Sequence, residues 1–326
     1  MKKTILYIIL FCLVGELMIR FDKSYTFMEE SRVVKISTDI ELTPEFELLQ
    51  NNSFPENQKD FRIMVLGDSY IHGGGIEFKD NFSQNLKAMI NASKGNFDHS
   101  WVLDISRPDA NNLDNKRSYF QFVNRFNPNV VIIGYNINDI DGNLVEKESN
   151  TELPDNGKGV KTSGSETVSL IGKIYKLVYA SEFIHFVLRK SHDQLKSFGY
   201  TIPGSKFDLT IKSYSQNKEN WKQSKKLLKD IILHAEQNDI QLIVYNFPET
   251  NHLEHQELFS GANTAIKAFF NEFPSVYYLD GSILFNGEKS KDFRLSKYDG
   301  HPNEKAHKRM AKDVFDVIQE SNKVYQ

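Results

Sequence analysis

The chain has 326 residues, of which 40% are hydrophobic, so it can build one large α/β domain with appendages or two small domains. Its formal net charge is -3 and its isoelectric point is near 6.3, and phosphate binding needs a concentrated basic surface, so nucleic acid is not expected as a partner. The single cysteine, Cys12, leaves the remaining chain without thiols, which excludes disulfides and a cysteine nucleophile there.

The N-terminus begins Met-Lys-Lys and continues with a largely apolar run from Thr4 to Ile19. As a helix this run spans only about 24 Å, less than the roughly 30 Å hydrocarbon core, so it fits a secretion signal or a short membrane anchor. The first alanine is Ala88, so no Ala-x-Ala cleavage site follows, and an uncleaved transmembrane anchor over residues 1–22 is favoured. The two lysines favour a cytoplasmic N-terminus. We expect a single-pass protein of the bacterial inner membrane whose main domain is extracytoplasmic, in the periplasm or at the cell surface.

Residues 23–60 are polar and rich in Glu and Asn, which predicts a stalk between anchor and domain. The domain is expected over 61–326. Within it strand and helix patterns alternate, which predicts a parallel sheet covered by helices on both faces, a three-layer α/β/α sandwich. The predicted strands cover 62–66, 101–106, 130–135, 240–247 and 276–279, and the predicted helices cover 81–92, 113–126, 219–237, 257–273 and 303–320.

The alternation is interrupted by an insertion at about 141–215. Its first part, 147–166, is rich in Gly, Ser and Asn, and a helical pattern follows over 168–198. The pattern favours a cap helix that packs on the domain; contact with a membrane surface and a lid over a substrate are the alternatives.

Polar residues follow the predicted strands, and open parallel sheets bind ligands at the carboxyl ends of their strands. Ser69 ends a Gly-Asp-Ser triplet directly after the first strand, and Asp299-Gly-His301 precedes the last helix. A serine hydroxyl becomes a nucleophile when a base removes its proton, and His301 is the candidate base. Asp299 is expected to orient the histidine, with Asp292 in reserve.

An acyl-transfer site also needs hydrogen-bond donors for the oxyanion of its tetrahedral intermediate. The expected donors are the backbone N–H groups of Ser69 and Ser106 and the side-chain amide of Asn138, because each residue follows a strand.

Three blocks in this order resemble the SGNH/GDSL hydrolase superfamily: Gly67-Asp68-Ser69, Gly134-Tyr-Asn-Ile-Asn138-Asp139 and Asp299-Gly-His301-Pro-Asn303. The resemblance extends from Phe61 to the end of the chain. It implies a flavodoxin-like parallel sheet and a Ser-His-Asp esterase or acyl-transfer mechanism, with no metal and no cofactor. The anchored form with a stalk is similar to bacterial members that act near cell-surface polysaccharides.

The chain departs from the family at two places. Where the second block often reads Asn-Leu-Gly-Val-Pro-Gly, this chain has Asp104-Ile-Ser106-Arg-Pro108-Asp109, which brings the oxyanion donor at Ser106 into question. In the last block only Gly300 separates Asp299 from His301, whereas the family commonly has two residues between them.

Two other polar clusters do not match a known ligand-binding motif. His72 and Gly73-Gly-Gly75 are not followed by Gly-Lys-Ser/Thr, which excludes a P-loop, and His252-Leu-Glu-His255 lacks the His-Glu-x-x-His order of zinc peptidases.

The sequence therefore predicts an SGNH-type serine esterase that forms an acyl-enzyme. The substrate is an acylated small molecule, lipid or carbohydrate, with O-acetyl groups of cell-surface carbohydrate as one candidate. An O-acyltransferase with the same triad, and a catalytically idle protein of polysaccharide binding or assembly, remain as alternatives.

Overall fold

The structure is a computed structural model that describes residues 14, 44–51, 60–93, 99–141, 206–296 and 299–322. The chain divides into two units, and every element given below belongs to the unit formed by Ile36–Lys147 and Pro203–Gln326. The predicted anchor at 1–22, apart from Val14, and the predicted helical stretch at 168–198 lie outside the described residues and stay predictions. In the part of the chain that is described, no helix is both long enough and apolar enough to span a membrane.

Five parallel strands form one sheet in the order β2-β1-β3-β4-β5. This is the flavodoxin-like strand order, so the predicted sheet is confirmed. The central strands read as continuous apolar runs because both of their faces are buried. The strands are β1 (Phe61–Gly67), β2 (Ser100–Asp104), β3 (Val130–Tyr135), β4 (Gln241–Asn246) and β5 (Val276–Asp280).

Helices cover both faces of the sheet. Alternate residues of β1 point to opposite sides, so Met64 and Leu66 join one core cluster while Ile63 and Val65 join the other. The three-layer prediction is thus confirmed. The α-helices are α1 (Pro44–Gln50), α2 (Ser69–His72), α3 (Phe82–Ala92), α4 (Asn112–Phe126), α5 (Lys206–Ser215), α6 (Glu219–Gln237), α7 (Ser260–Phe270), α8 (Gly281–Leu284), α9 (Ser290–Phe293) and α10 (Glu304–Asn322), and the 3-10 helices are η1 (Phe78–Asp80), η2 (Ile137–Ile140) and η3 (Thr250–Phe259).

The predicted stalk at 23–60 is wrong over the residues of α1. Leu49 is buried in the core, and the ring of Phe46 meets that of Phe122 edge-on at 5.5 Å between centroids. The Glu45 carboxylate, itself buried, pairs with Lys87 Nζ at 2.5 Å. A seven-residue helix in polar surroundings has too few apolar positions to show a period, which is why the sequence pattern missed it.

The predicted insertion at about 141–215 is too long at its C-terminal end. Helix α5 packs into the core through Tyr214, whose hydroxyl donates to the backbone oxygen of Ile137 at 2.8 Å. The Thr210 hydroxyl donates to the Asp141 carboxylate at 3.3 Å. Residues 206–215 therefore belong to the α/β domain.

Candidate active site

Ser69 is the first residue of α2, directly beyond the end of β1. The turn is tight because Gly67 lies against Gly134 on the neighbouring strand: a Cβ at Gly67 would lie 2.8 Å from the Gly134 oxygen. Asp68 caps α2, since its Oδ1 accepts the backbone N–H of Tyr70 at 2.9 Å. Local sequence thus presents the Ser69 hydroxyl, partly exposed, at the carboxyl edge of the sheet.

The structure brings Ser69, His301 and Asp299 together, although 232 positions separate the serine from the histidine. Ser69 Oγ lies 3.0 Å from His301 Nε2, and His301 Nδ1 lies 2.7 Å from Asp299 Oδ1. Because a carboxylate only accepts, Nδ1 carries the proton and Nε2 is left to accept from the serine hydroxyl. This is the hydrogen-bond order of a serine nucleophile, its base and the group that orients the base.

A single residue between Asp299 and His301 suffices because the aspartate forms a tight turn. Asp299 Oδ1 accepts the backbone N–H of His301 at 3.0 Å in addition to the ring N–H. The reserve candidate Asp292 is exposed, and its contact with this region is through its backbone oxygen, which accepts from the Asn303 side chain at 3.2 Å.

The protonation of His301 depends on its neighbours. Its hydrogen bond to Asp299 raises the pKa of the imidazole above the usual 6.5, while burial opposes that change. Asp68 is fully buried, and desolvation raises the pKa of its carboxyl to about 6. The imidazolium form of His301 is therefore favoured by the carboxylates around it.

Asn138 lies on η2, just past β3, and its side chain is exposed. The turn is fixed by a capping box in which Asn136 Oδ1 accepts the Asn138 N–H at 3.1 Å and buried Asp139 accepts the Asn136 N–H at 3.1 Å. The Asn138 side chain also hydrogen-bonds the Asp68 carboxylate. Since Asp68 directly precedes Ser69, Asn138 lies next to the predicted nucleophile.

Ser106 is placed differently from the prediction. Its backbone N–H donates to Asp104 Oδ1 at 3.0 Å and its hydroxyl donates to the same oxygen at 2.5 Å. The N–H expected to hold an oxyanion therefore already has an acceptor inside its own loop. The left-handed backbone of this loop falls at Asp109, with φ of 59°, and not at Ser106.

Sequence reasoning missed Glu249 and Thr250, which follow β4 and border the histidine loop. The Thr250 hydroxyl donates to the Gly300 oxygen, and the Tyr70 hydroxyl donates to Glu249 Oε2 at 3.2 Å. The available signal was their position after a parallel strand, the same criterion that singled out Ser69.

Metal-binding clusters are not found among the described residues, where no group of three or more His, Cys, Asp or Glu side chains could hold an ion. The side chain of His255 pairs with Glu257, with Nδ1 and Oε1 3.2 Å apart, and His252 is buried.

No protein-family model matches the sequence, and no curated protein matches it. Solved structures do. The chain is similar to a psychrotrophic esterase from Pseudoalteromonas sp., with 12% identity, a TM-score of 0.44, and coverage of 80% of this chain and 98% of that one. A GDSL-like lipase from Bacteroides thetaiotaomicron matches with 9% identity, a TM-score of 0.44, and coverage of 83% and 95%.

A catalytic mutant of an acetylxylan esterase from Geobacillus stearothermophilus matches with 10% identity, a TM-score of 0.45, and coverage of 77% and 91%. These three similar structures are thus an esterase, a GDSL-like lipase and an acetylxylan esterase.

Proposed function

We propose that this protein is a serine ester hydrolase of the SGNH/GDSL type. The observation that carries the proposal is the unbroken hydrogen-bond chain from Ser69 Oγ through His301, 3.0 Å and then 2.7 Å, to Asp299. Such a chain gives a serine hydroxyl a base and gives that base an orienting carboxylate.

In the proposed reaction, His301 Nε2 takes the proton of Ser69 as Oγ attacks the ester carbonyl. His301 then returns the proton to the departing alcohol, and the acyl group stays on Ser69. Asp299 accepts the hydrogen bond from Nδ1–H throughout and stabilises the imidazolium. A water molecule then attacks the acyl carbon as His301 Nε2 takes its proton, and His301 returns that proton to Ser69 Oγ as the acid leaves.

The oxyanion is held in this proposal by two donors rather than the three expected from sequence. The N–H of Ser69 is at the first position of a helix, where no intrahelical acceptor exists. The side-chain amide of Asn138 has two N–H donors, and with one on the Asp68 carboxylate the other supplies the second oxyanion donor. Ser106 is left out because its N–H donates to Asp104.

Fluorophosphonate labelling tests the proposal. The chain from residue 36, which includes α1, is incubated with the probe and with p-nitrophenyl acetate. Ser69→Ala is treated in the same way, with Ser282→Ala as the matched control. Ser282 follows β5 and hydrogen-bonds Asp280, so it shares the strand-end setting without a histidine partner. We expect labelling and turnover to vanish only in Ser69→Ala. Equal loss in both variants, or labelling that survives in Ser69→Ala, contradicts the proposal.

An O-acyltransferase uses the same triad, with a sugar hydroxyl in place of water at the second step. Adding a sugar acceptor with a labelled acetyl donor separates the two activities: label in free acetate supports the hydrolase, and label on the sugar supports the transferase. A folded protein that binds polysaccharide but neither labels nor turns over would be the idle binding protein.

The proposed location outside the inner membrane is supported by the N-terminal sequence from Met1 to Ile19. The proposed carbohydrate substrate is supported by the resemblance to anchored bacterial members of the superfamily. Protease treatment of intact spheroplasts should digest the domain if it is extracytoplasmic, and protection would contradict this location.

A further inference from the structure

The histidine loop is clamped from a neighbouring strand end. The segment Glu249–Asn251, here called the clamp loop, follows β4 and lies against Gly300, next to the proposed base. The Thr250 hydroxyl donates to the Gly300 oxygen. A Cβ on Gly300 would lie 1.9 Å from Asn251 Nδ2, so the Asn251 side chain packs directly on the Gly300 backbone and leaves no room for a larger residue there.

The clamp loop is itself held at both ends. At one end, Asn251 Oδ1 accepts from Arg294 Nη1 at 3.1 Å. At the other, Glu249 Oε2 accepts the Tyr70 hydroxyl at 3.2 Å. Tyr70 directly follows the nucleophile, and its ring centroid is 5.4 Å from that of His301. Glu249 therefore links the nucleophile helix to the loop that carries the histidine.

Several charges face the His301 ring. Asp299 lies on the same loop, Asp68 comes from the end of β1, and Glu249 comes from the clamp loop, and all three favour the imidazolium. His307, one helical turn into α10, is fully buried, and desolvation lowers the pKa of its imidazole to about 3, so it stays neutral. Of the three carboxylates, Asp68 is occupied in capping α2, and Glu249 is the one that approaches from the side of Tyr70.

We propose that Glu249 is a positioning residue for the base: it fixes Tyr70 against the His301 ring and, together with Asp299 and Asp68, supplies a carboxylate to the imidazolium that forms during the reaction. The inference rests on the proposed function. A carboxylate here does two separable things, because its hydrogen bond acts on geometry and its charge acts on protonation.

Two variants separate these effects. Glu249→Gln keeps the size and can still accept from Tyr70, but it removes the charge, so the acid limb of kcat/KM should move to lower pH by about half a unit. Tyr70→Phe keeps the charge and removes the hydrogen bond, so kcat should fall about fivefold while the acid limb stays in place. Glu257→Gln is the matched control, an exposed acid on η3 whose partner is His255, and it should change neither quantity.

The measurement is the pH profile of p-nitrophenyl acetate turnover, with fluorophosphonate labelling of each variant and urea unfolding to verify the fold. A Glu249→Gln profile that overlays that of the unmodified protein overturns this inference alone, as does an equal displacement in Glu257→Gln. Absence of labelling and turnover in the unmodified protein overturns the proposed function, and this inference with it. Because Tyr70→Phe retains the carboxylate, a fall in kcat with an unmoved limb supports the inference even if Glu249→Gln does not fold.

Discussion

The two halves of the candidate site are built to different degrees. In the proton-transfer half, Ser69, His301 and Asp299 form an unbroken chain of hydrogen bonds that joins both ends of the domain. In the oxyanion half, Asn138 is exposed beside the nucleophile, whereas Ser106 gives both of its donors to Asp104. A residue at the expected strand end can therefore serve as an oxyanion donor only when its N–H or O–H groups are not used by its own loop.

The largest effect is expected at Asp299, the carboxylate that accepts from His301. Asp299→Asn should lower kcat for p-nitrophenyl acetate by about 10³–10⁴-fold, because an amide can donate to Nδ1 and so favours the wrong tautomer of His301. Asp292→Asn, the matched variant at an exposed aspartate, should stay within about threefold. Similar losses in both variants would show that Asp299 has no special role.

Two variants, Asn138→Ala and Ser106→Ala, test which of these predicted oxyanion donors contributes to kcat. Loss of the Asn138 amide should lower kcat by about 10²–10³-fold, because one oxyanion donor disappears. Ser106→Ala should leave kcat within about threefold but reduce the free energy of unfolding by about 1 kcal/mol, since the half-buried Asp104 carboxylate loses a donor. Steady-state kinetics and urea unfolding check both variants, and a larger kinetic loss at Ser106 would restore it to the oxyanion hole.

Gly300→Ala tests whether the contact between Gly300 and Asn251 positions the histidine loop. The added methyl would lie 1.9 Å from Asn251 Nδ2, and because Arg294 holds that side chain we expect the histidine loop to shift. A shift on the order of 1 Å at His301 should cost about 10²-fold in kcat. Gly74→Ala is the matched control, because nothing lies within 4 Å of its Cβ position. Its kinetics should match those of the unmodified protein, and a Gly300→Ala enzyme of normal activity would refute the clamp.

The smallest expected effect concerns pH. Neutral His301 is required as the base, and its neighbours raise its pKa above 6.5, so the ring stays protonated to higher pH than a free imidazole. We therefore expect kcat/KM to fall as the pH drops through a midpoint above 6.5. A midpoint below that value would mean that burial outweighs the hydrogen bond to Asp299.

Much of the candidate site could be predicted from the sequence because a parallel sheet places the carboxyl ends of its strands along one edge. The runs that became β1 and β3 are continuous and apolar, so their ends mark Ser69 and Asn138 closely, and all five strands were predicted to within two residues. The final block was found by its residue types, since a serine nucleophile needs a base and an acid to orient it.

Other features depended on contacts that no local pattern encodes. Helix α1 was missed because burial of Leu49 depends on partners far away in the chain. The Ser106 N–H is not available to an oxyanion because the Asp104 carboxylate, two residues away, accepts its hydrogen bond. The choice of Asp299 over Asp292 was decided by the turn in which Asp299 accepts both N–H groups of His301.

The class of fold and the candidate residues for nucleophile and base could be predicted from the sequence, because hydrophobic runs and strand-end residue types depend only on local order. Three features could be seen only in the folded structure. They are the aspartate that contacts His301, the N–H groups that remain available to an oxyanion, and the position of Glu249 and Thr250 beside the histidine loop. These outcomes depend on distances of about 3 Å between residues far apart in the chain, and such distances are set only when the sheet and its loops have packed.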